Sequence, residues 1–347
     1  MTTVNPAVLE DFVCEVFVGA GASQPNAAAV AKHLVDSNCA GHHSHGVLRV
    51  PEYLRDIAQG ALDPAATPEL TGTSSVAALV DGRWGFGQVA GLTATAKAIE
   101  VAAQQGLSIV GVRRCHHLGR MGDYVERAAD ANCVMLATAG GHPPIAVAPN
   151  GKEKVIGANP IAGAFPTAKE SVVLDMATTA VAVGKVLIAA ARDEVLAPGL
   201  VVDADGNPTT DPLALEAGGA LLPFGGHKGY GLALISELLT TALVGSPPPE
   251  PGRGGAFARQ AGIFIAIRLD LWCPSEEVLG TAAAFVEMVR ASSSRAVTGV
   301  QVPGDPERAE REKHSAFGVG LEPTTVLALV DAATRMGVTV PAELQGG

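Results

Sequence analysis

Apolar positions recur at helical spacing over the first part of the chain. Residues 6–20 and 25–39 both place hydrophobic side chains three and four positions apart, which is typical of amphipathic helices. They are separated by "GAGASQP", in which Ser23 stands where a residue would cap the second helix. Residues 47–59 repeat the apolar spacing. The chain is therefore predicted to begin with three helices.

The pattern changes after "GALDPAATPEL", a stretch rich in glycine and proline, and this change predicts a domain boundary near residues 60–72. Short apolar runs typical of buried strands then alternate with helical segments. The predicted strands are residues 74–82, 107–114, 134–138, 171–176 and 261–267, and the predicted helices are residues 91–106, 121–131, 229–245 and 322–338. "GSPPPEPGRGG", residues 245–255, is predicted to be an exposed loop. The order of elements indicates the α/β class with an additional helical part.

Composition restricts the partners of this protein. Hydrophobic residues make up 48 % of the 347 residues and charged residues 17 %, which leaves ample material for a core and no case for disorder. The 24 basic and 35 acidic residues give a net charge of -11, which argues against a nucleic-acid surface. The most apolar stretch, "ATTAVAVGKVLIAAA", is interrupted by Gly184 and Lys185 and is too short to cross a bilayer. We expect a small-molecule partner, with no nucleic acid and no membrane.

The cysteines and the first residues bear on location. The five cysteines are odd in number and form no C-x-x-C pair, so that neither a disulfide framework nor a zinc ribbon fits. Glu10 and Asp11 stand where a signal peptide would carry positive charge ahead of an apolar run. We expect a cytoplasmic protein.

Two glycine-rich stretches could bind a nucleotide. Gly85-x-Gly87 follows a predicted strand and opens a helix, like a Rossmann fingerprint, but the next strand ends in Arg113 and Arg114 instead of an acidic residue. The alternative is a tight strand-to-helix turn. "LLPFGGHKGYGL" precedes a predicted apolar helix, and free amides at a helix start together with Lys228 suit a phosphate or pyrophosphate. The alternative here is a turn that merely starts a buried helix.

A histidine pair, His116 and His117, stands at the end of a predicted strand and just before a helix start. Ligand sites of α/β proteins form at such positions. The alternative is that one histidine caps the helix and the other is solvated.

A second cluster, "AGHHSHGVLR", places three histidines and a serine in four positions. His42 and His45 lie three apart, with Cys39 one turn earlier, so a zinc site is one interpretation, although no H-E-x-x-H pattern completes it. A hydrolytic Ser44 is another, although neighbouring serine and histidine side chains normally point in different directions. A solvated cluster at a helix end is a further alternative.

The remaining interpretation uses Arg49. His45 and Arg49 are four residues apart and would share one face of a helix. Arginine clamps a carboxylate with two hydrogen bonds, and histidine exchanges a proton near neutral pH. Such a pair, with Ser44 as a relay, suits a 2-oxo acid whose carbonyl is protonated as hydride arrives.

The ordered series "SHGVLRVPEYL", "HHLGRMGDYVE", "GANPIAGAFPT", "VVLDMATTAVAVGKV", "VVDADGNPTTDP" and "LLPFGGHKGYGLALISELL" resembles the type 2 malate/L-lactate dehydrogenase family over about residues 5–340. The resemblance implies an α/β, non-Rossmann, L-sulfolactate-dehydrogenase-like fold. In that fold a mixed-sheet NAD(P)-binding domain, residues 73–305, joins a helical part built from both chain ends, residues 1–72 and 306–347. It further implies NAD(P)-dependent hydride transfer between the nicotinamide and a small 2-oxo or 2-hydroxy acid, and a homodimer with each active site near the subunit interface.

The resemblance also implies residue roles. His45 is the implied proton donor, Ser44 its relay and Arg49 the carboxylate anchor, and His117 and Lys185 join the catalytic set. The residues implied to contact NAD or NADP are His117, Gly119, Asn159, Pro160, Asp175, Met176, Ala177, Gly226, His227, Lys228, Pro303 and Gly304. No metal is expected, and Gly85-x-Gly87 becomes a structural turn.

Two departures from the family pattern matter. Residue 185 is lysine where the imine-reducing branch carries an acidic residue, which favours an oxo acid as substrate. "APNGKEKVIG" lacks the "PFGG" often found there, so no contacts are carried over to residues 149–157. A cyclic-imine reductase remains the alternative within the family, and a zinc-dependent hydrolase is the alternative outside it.

Overall fold

A computed structural model of the chain describes residues 2–246, 259–297 and 299–345. The predicted loop at 245–255 lies outside the described residues from residue 247 onwards. The helices are α1 (Pro6–Gly19), α2 (Gln24–Cys39), α3 (Val50–Ala58), α4 (Gly87–Gln105), α5 (Gly122–Asp130), α6 (Val183–Ala191), α7 (His227–Glu237), α8 (Ser275–Arg290), α9 (Asp305–Phe317), α10 (Pro323–Met336) and α11 (Ala342–Gln345). The strands are β1 (Thr2–Val4), β2 (Glu69–Thr73), β3 (Ala77–Asp81), β4 (Leu107–Cys115), β5 (Cys133–Gly140), β6 (Ala146–Val147), β7 (Lys154–Ile156), β8 (Ile161–Phe165), β9 (Val172–Met176), β10 (Val201–Val202), β11 (Pro208–Thr209), β12 (Ala220–Leu221), β13 (Gln260–Arg268) and β14 (Val319–Leu321).

The largest sheet has seven strands in the order β2-β3-β4-β13-β5-β8-β9. Within this sheet, β3 and β4 are parallel to each other and are joined by the crossover helix α4. Every other neighbouring pair of strands is antiparallel. A Rossmann fold needs a mostly parallel sheet, so this mixed sheet differs from it as expected. Alanines at positions 90, 94, 98 and 102 line the buried stripe of α4 and allow it to pack closely on the strands.

A second hydrophobic core joins the two ends of the chain. Buried side chains of α1, α2 and α3 share one cluster with those of α10 and β14, among them Phe17, Leu34 and Leu329. β1 pairs antiparallel with β14, with Val4 opposite Val319. The helical part of the molecule is therefore built from both chain ends. None of the described helices is long and apolar enough to span a bilayer.

Local sequence patterns predicted seven of the helices in the described part of the chain, whereas α6, α8, α9 and α11 were not predicted. Ser23 caps α2 by accepting a hydrogen bond from the Asn26 amide, as predicted. The single helix predicted over residues 47–59 is wrong in its first turn, since Val47–Arg49 form a 3-10 turn before α3 begins. α9, "DPERAEREKHSAF", was not predicted because it is polar on almost every side and lacks an apolar stripe.

Candidate active site

Two tight turns, separated by a glycine, carry the residues of the histidine cluster. His43–His45 form one 3-10 turn, Gly46 is extended, and Val47–Arg49 form the next. Asn38, in α2, holds both turns, because its Oδ1 accepts from the Val47 amide at 2.8 Å and its Nδ2 lies 3.0 Å from His43 Nδ1. A β-carbon at Gly46 would lie 2.0 Å from Asn38 Oδ1, so only glycine fits there.

This local structure corrects the expectation that His45 and Arg49 share one face of an α-helix. The two residues belong to different 3-10 turns, and Gly46 interrupts any helix between them. They nevertheless lie in one cluster, because Arg49 Nε donates to the Ser44 carbonyl at 2.7 Å. The backbone fold of the turns, not helical periodicity, brings them together.

The side chains of Ser44 and His45 contact each other, contrary to the expectation that neighbours point apart. Ser44 Oγ and His45 Nδ1 share a hydrogen bond of 3.0 Å. The other partner of the His45 ring is His117, whose ring stacks on it with centroids 5.5 Å apart and planes 24° apart.

His117 is held by buried polar residues that sequence reasoning missed. The Tyr53 hydroxyl and His117 Nδ1 share a hydrogen bond of 2.6 Å, and Gln88 Nε2 donates to the same hydroxyl at 2.8 Å. All three side chains are almost fully buried. The sequence pattern could have indicated Tyr53, because it stands four residues after Arg49. No sequence pattern indicated Gln88.

His116 has a structural partner. Its Nε2 lies 2.8 Å from Asp56 Oδ2, and both side chains are fully buried. The alternative of one capping and one solvated histidine is therefore wrong for His116 and His117. A β-carbon at Gly87 would lie 2.2 Å from the His116 carbonyl oxygen, so this glycine permits a close backbone approach, in agreement with a structural turn.

Burial sets the charge state of the imidazoles. Desolvation, with the positive charge of Arg49 as the next cause, lowers the pKa of His45 to about 3. Burial, followed by the neighbouring His45 and Arg49, also holds the pKa of His117 well below its usual value. Both rings are therefore neutral at physiological pH.

The other two histidines of the cluster have different partners. His42 Nε2 lies 3.2 Å from Glu307 Oε1 in α9, and His43 bonds to Asn38. Within the described ranges, no group of three or more His, Cys, Asp or Glu side chains is placed to hold a metal ion.

Lys185 is exposed in the first turn of α6. A β-carbon at Gly184 would lie 3.7 Å from the β-carbon of Ser44, so the start of α6 lies beside the turn that carries Ser44 and His45. The structure thus brings Lys185 to the neighbourhood of the Ser44–His45 pair.

Three of the segments expected to line a cofactor are neighbours in the folded chain. Residues 159–160 lead into β8, and residues 175–177 end its neighbour β9, where Ala162 lies opposite Asp175. The Thr178 amide donates to the Ala158 carbonyl at 2.9 Å, and the Thr178 carbonyl accepts from Phe224, just before the glycines that start α7. Asn159, the end of β9 and the start of α7 are therefore neighbours.

The start of α7 suits a phosphate group. Gly225 and Gly226 have φ of +56° and +61°, in the left-handed region that favours glycine, and His227 and Lys228 are exposed in the first turn. Beside this helix start, Asn159 is fully buried, yet its Oδ1 has no hydrogen-bond partner among the described residues. A helix start with a lysine and an unpaired buried acceptor together fit a nicotinamide dinucleotide.

The remaining expected cofactor residues, Pro303, Gly304 and Gly119, lie in two separate places. Pro303 accepts from the Val173 amide at 3.0 Å, and a β-carbon at Gly304 would lie 3.3 Å from that amide nitrogen, so this loop docks on β9 two residues before Asp175. Gly119 is explained by packing, since a β-carbon there would lie 2.2 Å from His33 Nε2.

A buried pair of histidines beside an arginine, together with a group of segments that suits a dinucleotide, is consistent with a nicotinamide-dependent oxidoreductase. The chain belongs to the malate/L-lactate dehydrogenase family, whose sequence profile matches residues 4–330. The resemblance identified from the sequence motifs is confirmed.

Relatives of the chain include both dehydrogenases and imine reductases. It is 32 % identical to a malate/(S)-sulfolactate dehydrogenase of Methanothermus fervidus, over 96 % of this chain and 98 % of that one. It is 39 % identical to a Delta(1)-pyrroline-2-carboxylate/Delta(1)-piperideine-2-carboxylate reductase of Pseudomonas putida, over 90 % of this chain and 92 % of that one. The structure of the sulfolactate dehydrogenase from Methanocaldococcus jannaschii matches with a TM-score of 0.90 at 31 % identity, covering 98 % of both chains. The expected fold is confirmed as well.

Proposed function

We propose that this protein catalyses reversible hydride transfer between a nicotinamide cofactor, NAD or NADP, and a small 2-oxo or 2-hydroxy acid. The observation that carries the proposal is the geometry of residues 43–49, which we call the catalytic turn. Arg49 donates to the backbone of Ser44, while the Ser44 side chain bonds to His45. A carboxylate anchor and a proton-exchanging group are thereby fixed side by side, as a 2-oxo acid requires.

Arg49 anchors the substrate carboxylate. Its Nε is held by the Ser44 carbonyl and its Nη1 lies 2.8 Å from Glu52 Oε2, so the plane of the guanidinium is fixed. A planar cation in a fixed orientation suits the two oxygens of a carboxylate.

His45 moves the proton. In the oxidation of a hydroxy acid, its neutral ring accepts the hydroxyl proton, and in the reverse direction its imidazolium protonates the carbonyl oxygen. A bound carboxylate beside Arg49 offsets the positive charge that depresses the His45 pKa, so binding of the oxo acid favours proton uptake by His45. Ser44 relays that proton at Nδ1, and His117 holds the ring plane by stacking. Lys185, at the start of α6, adds positive charge near the substrate.

The cofactor residues form the neighbouring edge. Asn159 and Pro160, residues 175–177, the start of α7 and the loop at Pro303 and Gly304 would hold the dinucleotide, with His117 at its nicotinamide end. When bound, this group supplies or accepts the hydride. Lys228 and the amides of the α7 start would neutralise its phosphates.

We further propose a homodimer in a reducing cytoplasm. Leu187 and Ile188 of α6 and Ile235 of α7 are 45 %, 52 % and 57 % exposed, although Val186 and Ala233 on the inner sides of these helices share one core cluster. An apolar face of this kind suits a second copy of the chain. Because α6 begins beside Ser44, a partner on this face would lie near the active site. The five free cysteines support the reducing compartment.

Reduction of a cyclic imine is the second candidate, favoured by the Pseudomonas putida relative. Lys185 opposes it, because a cationic side chain beside the substrate disfavours the protonated imine that must accept hydride. The oxo acid is therefore the preferred substrate.

One panel of assays tests these assignments. The purified protein is given 2-oxo acids with uncharged, carboxylate and sulfonate side chains, and cyclic imino acids, each with NADH and with NADPH. We expect consumption of the reduced cofactor with at least one oxo acid, unaffected by a metal chelator. Turnover with imines alone would replace the oxo-acid proposal with the second candidate. No consumption of reduced cofactor with any of these compounds, together with a stoichiometric metal that chelation removes, would favour the zinc hydrolase.

A further inference from the structure

Two buried polar atoms, on side chains next to Gly157, have no hydrogen-bond partner in the described part of the chain. They are Nε2 of His142 and Oδ1 of Asn159. A β-carbon at Gly157 would lie 2.5 Å from the His142 β-carbon and 3.1 Å from Asn159 Oδ1, so the two side chains adjoin. Because an unpaired buried polar atom is costly, two of them on adjoining side chains indicate a ligand.

The hydrogen-bond network fixes His142 as a donor. The Leu118 amide donates to Gln260 Oε1 at 2.9 Å, so the other end of that side chain is its NH₂ group, 2.9 Å from His142 Nδ1. His142 Nδ1 therefore accepts, and the ring proton is on Nε2. Burial lowers the pKa of His142 to about 4, which keeps the ring neutral.

A second network fixes Asn159 as an acceptor. Asn159 Nδ2 donates to Glu237 Oε2 at 2.6 Å, and the Gly141 amide donates to the same oxygen at 3.2 Å. Since a carboxylate only accepts, the amide nitrogen of Asn159 must face it, and Oδ1 is turned away. The unpaired pair thus consists of one donor and one acceptor.

We propose that His142 and Asn159 together bind the carboxamide of the nicotinamide ring. His142 Nε2–H donates to the carboxamide oxygen, and Asn159 Oδ1 accepts from its NH₂ group. This assignment rests on the proposed function, and it gives a role to a histidine within "GGHPP" that the sequence did not mark as functional.

The chemistry of the pair favours the cofactor over the substrate. A primary carboxamide presents an acceptor and a donor on neighbouring atoms, whereas a 2-oxo acid presents acceptors alone and would leave Asn159 Oδ1 facing an anion. The location agrees, because Gln260 links His142 to the amide of Leu118, the residue after His117. The bound ring would then lie close to the catalytic histidines, where hydride transfer must occur.

Two cofactor analogues separate the two hydrogen bonds. The thionicotinamide dinucleotide replaces the acceptor oxygen with sulfur and keeps the NH₂ group, and the 3-acetylpyridine dinucleotide keeps the oxygen and replaces NH₂ with methyl. Binding of the oxidised natural cofactor and of each analogue is measured by calorimetry for the wild type, His142→Phe, His142→Gln and Asn159→Leu. Because binding is measured without substrate, the result does not depend on turnover.

We expect the wild type to prefer the natural cofactor over each analogue by roughly three- to tenfold, the range of one neutral hydrogen bond. His142→Phe should lose the preference for the natural cofactor over the thio analogue and keep the preference over the acetylpyridine analogue. Asn159→Leu should show the opposite pattern. His142→Gln, which restores a neutral donor, should recover part of the first preference.

If His142→Phe still prefers the natural cofactor over the thio analogue as strongly as the wild type does, the proposal is overturned. A raised KM for the oxo acid in that variant would assign His142 to the substrate instead. If Asn159→Leu does not fold, the two His142 variants decide alone. A wild-type protein that binds none of the dinucleotides would contradict the proposed function itself, which is a different result.

Discussion

At the scale of single residues, Gly46 decides the geometry of the catalytic turn. Without a side chain it lets Asn38 reach the backbone at Val47, and the chain reverses so that Arg49 meets the carbonyl of Ser44. Any larger residue would push Asn38 away and separate the anchor from the proton-exchanging pair. The chemistry of the site therefore depends on a residue that takes no part in it.

Replacement of Arg49 by lysine tests the anchor. Lysine keeps the charge but loses the planar fork, so kcat/KM for the oxo acid should fall roughly 10- to 100-fold, mainly through KM. Steady-state kinetics and a cofactor titration check this, and the Kd for the reduced cofactor should not change. Arg55→Lys, at a neighbouring arginine whose side chain is 56 % exposed, is the matched control and should be silent. An equal loss of cofactor affinity would place Arg49 elsewhere.

The pH dependence tests His45. Because its pKa in the free protein is about 3, His45 stays neutral between about pH 5 and 9, and kcat/KM for oxidation should show no histidine ionisation there. Reduction needs the imidazolium, so its rate should fall as pH rises. His45→Ala should reduce turnover roughly 10²–10⁴-fold with little change in cofactor binding.

His42→Ala is the control for His45→Ala, since His42 bonds to Glu307 and lies outside the stacked pair. It should have a mild effect. Equal damage by both substitutions, together with loss of a bound metal, would support the zinc site.

At the scale of elements, α7 serves both ends of the proposed cofactor site. Its first turn follows Gly225 and Gly226 and presents Lys228, and its last residue, Glu237, holds the side chain of Asn159. One rigid helix thus fixes the distance between the phosphate end and the nicotinamide end. Pre-organisation of this kind reduces the entropy lost on binding.

Removal of the lysine tests the phosphate end. Lys228→Ala should weaken binding of the dinucleotide by about 1–3 kcal/mol, the range of a charge-assisted hydrogen bond, and leave KM for the oxo acid nearly unchanged. Calorimetry with the reduced cofactor measures the change. Lys313→Ala in α9, whose side chain is 60 % exposed, is the control. An unaltered Kd would remove α7 from the cofactor site.

At the scale of the whole molecule, the active site lies where the helical part meets the sheet. Ser44, His45 and Tyr53 come from the helical part, and His117 follows β4 of the seven-stranded sheet. The stacking of His45 on His117 and the bond from Tyr53 to His117 join the two parts. Their relative position is therefore set by the proposed catalytic residues as well as by the core.

The apolar face of α6 and α7 predicts the assembly. The wild type should sediment with twice the mass of the chain, and Ile235→Asp should shift it toward the monomer, because a buried unpaired carboxylate is strongly unfavourable. Analytical ultracentrifugation checks the mass. Leu327→Asp in α10, at a position 67 % exposed, is the control and should remain dimeric. A wild-type monomer would contradict the dimer.

Sequence by itself determined the elements with a local cause. Apolar spacing and the Ser23 cap specified α1 and α2, and short apolar runs specified five of the seven strands of the large sheet, all except β2 and β8, because side-chain burial and capping act over a few residues. The ordered motifs identified the family, and with it the residues Ser44, His45 and Arg49. α9 could not be predicted, since its polar side chains have partners only in the folded molecule, such as Arg311 with Asp36 of α2.

Tertiary structure alone decided how these residues meet. The bond from Tyr53 to His117 joins positions 64 apart, and that from Gln260 to His142 joins positions 118 apart, so no spacing rule indicates either. The Ser44–His45 contact depends on Asn38 and Gly46, and the neutral state of His45 depends on its burial. Such properties arise when distant segments pack and exclude water, and pKa values and hydrogen-bond partners are fixed at that stage.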